Sequence, residues 1–165
     1  MRASYAPLLV LILLSALIVG EAAYYLPLLP DRLATHFDTS GRANGWSSQA
    51  GFTRLIAFQL AGFWILFIGA GLIGRIPDRW INLPNKAYWL APEQREASLA
   101  FVRDWIRWFL AATLAFLTFV EGLALRANLS APPRFPNRPF LLFLLVWAVT
   151  VIAMMVMLFR RFRRT

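Results

Sequence analysis

A single histidine, His36, stands in the polar stretch THFDTSGRANGW (residues 35–46), between long hydrophobic runs. Imidazole can serve as a general base, a metal ligand or a pH-sensitive donor, and Asp31 and Asp38 lie near it in sequence. Two further carboxylates, Glu21 and Glu121, fall inside hydrophobic runs. An ionisable group is costly there and faces a bundle interior or a water-filled cavity. Three readings follow. In the plainest, each glutamate is neutral or paired with a nearby arginine. In the second, a polar pocket under the loop binds a small ligand or peptide through His36, Phe37, Asp38, Gly41, Gly45, Trp46, Glu21 and Glu121. In the third, His36, Glu21 and Glu121 hold a metal, and imidazole with carboxylates suits zinc or manganese. No His-Glu-x-x-His or other tight ligand spacing is present, so neither metal nor cofactor is expected. There is also no nucleophile elbow, no glycine loop shaped for phosphate and no recognisable Ser/His/Asp signature. Catalytic residues are not assigned, and a non-enzymatic role is favoured.

The loop reads as a compact lid. Asp38-Thr39-Ser40-Gly41 is a turn signal, and Asn44-Gly45 reads as a second. Pro27 and Pro30 close the preceding helix, and Trp46 is placed to anchor the far end at the membrane interface. Asn128-Leu129-Ser130 matches the glycosylation triplet, but close to the bilayer.

The elements that carry these residues belong in lipid. Of the 165 residues, 59% are hydrophobic and only 15% charged, whereas soluble domains run to about 45–50% apolar and about 25% charged. Cysteine is absent, which excludes disulfides and thiolate metal sites. The net charge of +9 comes almost wholly from arginine, Lys86 being the one lysine. These arginines lie between and after hydrophobic runs, the pattern of membrane topology rather than of a nucleic-acid face. Four runs are long enough to cross a bilayer: approximately 5–26, 52–74, 105–125 and 139–159. None alternates with period two, so the expectation is an all-α polytopic protein, a single four-helix domain spanning 1–165. A signal peptide ending near Gly20-Glu21-Ala22 is the rival for the first run, but apolar character resumes at Ala22–Leu29.

Basic residues set the expected orientation. With the N-terminus inside, Arg2, the loop 75–104 and the terminal RRFRR lie in the cytoplasm, and fewer arginines lie outside. This places the lid, residues 27–51, on the outer face, and a bacterial inner membrane is the expected location. Glu21 and Glu121 then share a depth of about 7–8 Å below the outer boundary. The loop 75–104 interleaves prolines with Trp80, Tyr88 and Trp89 and reads as interfacial. Pro92 followed by Glu93 and Glu96 starts a helix that continues into the third span. RRFRR could hold anionic headgroups. Gly62, Gly69, Gly71 and Gly74, with Ala111, Ala112 and Ala115, supply small faces for helix packing.

The stretch YYLPLLPDRLATHFDTSGRANGWSS resembles a bacterial membrane domain of unknown function found at the N-terminal part of SdpI-type immunity and signalling proteins. The matching positions are Leu29-Pro30, His36-Phe37, Gly41 and Gly45-Trp46, and residues 81–96 look like the cytoplasmic segment of stand-alone four-span members. The resemblance implies a fold and a motif but no mechanism. The expected function is an immunity-like, signalling or accessory component that binds a ligand, peptide or membrane partner at the outer face. A structural subunit of a larger complex and a small metal-dependent enzyme are the alternatives.

Overall fold

The computed structural model describes residues 5–163, so Arg2 and Arg164 of the orientation argument lie outside the described residues. Four helices are long and apolar enough to cross a membrane: α1 (Ala6–Tyr25), α2 (Gln49–Gly71), α4 (Pro92–Ala127) and α5 (Asn137–Phe162), with a one-turn α3 (Lys86–Trp89) before α4. The all-α membrane fold read from composition is therefore the fold observed, with one small sheet added. Helix ends depart from the limits of the hydrophobic windows, by a few residues in α1, α2 and α5 and by a longer stretch at the start of α4. Helix α2, for example, starts at Gln49, where the Ser48 side chain accepts from the Gly51 amide.

Helix α4 is the hub. At 36 residues it is about 54 Å long, more than a bilayer core requires. It packs against α1, α2, α3 and α5. Mid-span, Leu11, Phe67, Leu110 and Leu114 form an apolar cluster. Helix α5 packs chiefly against α4, and its outer face (Leu142, Leu145, Val149, Ile152) is exposed. Lipid is the natural neighbour of such a face.

The lid is a β-hairpin. Strand β1 (Arg32–Phe37) pairs antiparallel with β2 (Ala43–Ser48). The first expected turn closes it: the Asp38 carboxylate accepts from the Ser40 amide, the Ser40 hydroxyl and the Arg42 amide. Gly41 supplies the left-handed residue at φ 79°. The second expected turn is not one. Asn44 and Gly45 lie within β2, at a register shift opposite His36. A Cβ on Gly45 would come within 2.7 Å of the His36 Cβ, so this glycine serves close strand approach at a bulge rather than a reversal.

On the side of the termini, the loop between α2 and α4 folds through short 3-10 turns and α3 onto the end of α5. Phe162 is fully buried among Ile81, Leu83, Leu90, Leu99 and Val102. Its carbonyl accepts from Asn85 Nδ2 and Trp89 Nε1. The Arg161 guanidinium lies over Trp89, 4.5 Å from the ring centroid, and near Phe101 and Phe162. The interfacial loop is thus a clasp, and one arginine of the RRFRR tail is committed to it.

Candidate ligand site on the hairpin face

The hairpin is fastened to the helices by polar groups. Asn128, just past α4, is buried, and its side chain acts as a short strand beside β1. Its Oδ1 accepts from the Ala34 amide at 2.7 Å, and its Nδ2 donates to the Ala34 carbonyl at 2.9 Å and the Ala124 carbonyl at 2.8 Å. Both amide atoms of the would-be glycosylation asparagine are therefore engaged. At the tip, the Phe135 amide donates to Gly41 O and Asn137 Nδ2 donates to Thr39 O, while Phe37 packs on Phe135 with centroids 5.0 Å apart. At the base, Gln49 Nε2 donates to the carbonyls of Leu26 and Leu29. Beneath lie Ile18, Leu29, Leu33, Phe52, Ile56 and Leu125.

Between the hairpin, the α4–α5 connection and the tops of both helices is a cavity of about 580 Å³. Thr35, His36, Asp38, Thr39 and Asn137 give it polar groups, and Phe37, Phe135, Phe140, Val120 and Leu141 give it apolar ones. Its size is that of a small-molecule site, and its make-up, apolar walls with a few convergent polar groups, is the usual one. The His36 Nδ1 is hydrogen-bonded to Asn44 Oδ1, which orients the ring across the two strands. The hydroxyl of Ser40, then the Arg42 amide, hold the Asp38 carboxyl below its ordinary value, so it stays anionic at neutral pH.

The sequence-derived candidates divide into three groups. His36, Phe37 and Asp38 line the cavity. Gly41 and Gly45 shape the hairpin: a Cβ on Gly41 would lie 2.5 Å from the Phe135 carbonyl oxygen. Trp46 sits in β2 beneath the Arg32 guanidinium, 5.6 Å away. Glu21 and Glu121 lie apart from the cavity, in the helix interior. Glu21 Oε1 pairs with Arg126 at 2.8 Å, and Arg126 also donates to Tyr25 Oη. The Glu21 carboxylate rests on Gly122, where a Cβ would meet both oxygens at 2.8 Å. Glu121 accepts from Gln59 Nε2 at 3.4 Å. These contacts tie α1 and α2 to α4; Glu21 has the arginine partner of the plainest reading, whereas Glu121 meets a glutamine instead. Among the described residues no three His, Asp or Glu side chains group as metal ligands. Asn137, Phe135, Phe140 and Asn128 were not candidates from sequence. They lie about a hundred residues from the hairpin, and only the fold joins them.

Residues 10–60 match a family described as a domain of unknown function, DUF1648. That stretch covers most of α1, the whole hairpin and the first half of α2. No curated protein and no solved structure matches the chain.

Proposed function

We propose that this integral membrane protein is a non-enzymatic component of a bacterial inner membrane that binds an amphiphilic ligand or peptide at its outer face, in an immunity-like, signalling or accessory role. The hairpin faces outward and both termini lie in the cytoplasm, as the distribution of arginines favours. The observation that carries the reading is the 580 Å³ cavity under the hairpin. It has polar groups from β1 and the turn and phenylalanines facing the helices, an arrangement suited to a molecule with one wet end and one greasy end.

The test is photocrosslinking in intact membranes, with a photoreactive amino acid replacing Thr39 or Phe140. A discrete adduct at these positions, absent from the same probe at lipid-facing Leu142, supports the reading. Identical patterns at all three would sink it. His36→Ala should weaken the adduct at Thr39 without unfolding the protein. An adduct with one protein at fixed stoichiometry would favour the structural-subunit alternative.

A further inference from the structure

On the opposite side of the membrane a crevice of about 720 Å³ opens between the end of α2 and the first turns of α4. Along α4 its lining begins with Glu93, Arg95 and Glu96, passes Ala97, Leu99 and Ala100, and ends at Arg103. One turn further into the bilayer stands Arg107, on the face of Arg103 because the spacing is i, i+4. The Arg107 guanidinium packs on the Phe67 ring at 4.8 Å. It also lies beside Gly71 of the crevice wall, where a Cβ would fall 2.9 Å from its terminal nitrogen. Its Nε is buried without a partner, and among the described residues Arg107 makes no ion pair. An intramembrane cation lacking a counter-ion is costly. Arg103 gives its Nε to Asp104, which leaves its two terminal nitrogens. Arg95, by contrast, is committed to Asp78 and the Gly74 carbonyl.

We infer that this crevice holds the headgroup of a phospholipid carrying a primary ammonium, its phosphate on Arg103 and Arg107 and its ammonium on Glu96 and Glu93. Two guanidinium groups at the deep end suit a phosphodiester. In a bilayer the phosphate of such a lipid lies deeper than its ammonium, the order in which the crevice places cations and carboxylates. Gly71, Gly74, Ala97 and Ala100 leave the room. A headgroup with a single negative charge meets the two carboxylates at the mouth unfavourably. A quaternary ammonium has the right charge but no N–H to donate to them. The inference is independent of the hairpin cavity and holds in either orientation of the protein.

The test is native mass spectrometry of the full chain in detergent, titrated with phosphatidylethanolamine, phosphatidylcholine and phosphatidylglycerol of identical acyl chains. One phosphatidylethanolamine should be retained about tenfold more strongly than either competitor, the scale of one charge-assisted hydrogen bond. Gly74→Leu should bring retention down to the phosphatidylcholine level. A Cβ at Gly74 meets nothing within 4 Å, so this variant fills the crevice without disturbing packing, and an unchanged melting temperature checks that. Arg107→Gln should weaken all three lipids, and Glu96→Gln should erase only the preference for the primary ammonium. Arg163→Gln, on the exposed tail, should change nothing. Equal retention of the three lipids, undiminished binding by Gly74→Leu, or displacement by inorganic phosphate would each overturn the inference.

Discussion

The two ends of the molecule hold their connecting segments in different ways. On the hairpin face the fastening is directional: Asn128 reads both backbone groups of Ala34, and Gly41 and Asn137 accept or offer single hydrogen bonds at fixed places. On the terminal face two side chains donate to the Phe162 carbonyl, but the bulk of the clasp is apolar packing around the Phe162 ring, with a guanidinium over Trp89. Hydrogen bonds fix position and depend on each partner, so one lost partner leaves a buried group orphaned. Ring packing tolerates small shifts and fails by volume. The hairpin face is therefore built to hold a shape, and the terminal face to hold a mass of apolar surface.

Four substitutions sharpen this contrast. Phe162→Ala removes the fully buried ring of the clasp and should cost about 3–5 kcal/mol. The unfolding temperature in detergent reads it, with cleavage by protease in the 75–91 loop as a second measure. Gly41→Val should cost about 2–4 kcal/mol, since a β-branched residue is forced to positive φ and against the Phe135 carbonyl. Here proteolysis should appear in the hairpin while the clasp stays intact; cleavage at both ends would erase the distinction. Asn128→Ala leaves the Ala34 amide and carbonyl unpaired and should cost about 2–3 kcal/mol, visible as faster exchange of the Ala34 amide. Asn128→Asp should restore the bond from that amide but not the bond to the carbonyl.

The smallest effect is one of pH. The Asp38 carboxyl lies below its ordinary value of 3.8 in the folded hairpin. Its contribution is thus fully present above that value and fades as pH falls through the lower folded value. The Ser40 and Arg42 amides should begin to exchange faster below about pH 3.8, and Asp38→Asn should abolish that acid response. A response unchanged in Asp38→Asn would show that the turn is held by other groups.

Much of the architecture is legible in the sequence because bilayer thickness and backbone satisfaction leave few choices for runs such as 139–159. The start of α4 at Pro92 was legible for a local reason, a proline at the first helical position followed by a glutamate. The turn at Asp38–Gly41 carries its chemistry in neighbouring residues and could be read. Asn44-Gly45 misled because the same dipeptide serves a tight reversal and a strand bulge, and the choice lies with its partner across the strands, His36. The cavity was only half visible. His36 and Asp38 announce themselves as polar residues in an apolar chain, whereas Phe135, Asn137 and Phe140 have no local signal and matter through the return of the chain from α4 to α5. Glu21 was readable as an intramembrane acid, but its partner Arg126 and its seat on Gly122 required the packing of α1 on α4.

The uninterrupted length of α4 also makes it a phase reference for the whole molecule. The Glu96–Arg103 crevice lies near one end and the Asn128 fastening just past the other, so their angular relation is fixed by the number of residues between them. One extra residue within the span would rotate one end against the other by about 100°. The hairpin could then keep its hold on Ala34 only by losing the alignment of the crevice with α2. Insertions are absorbed easily in loops; here a single one would put the two faces of the protein out of step.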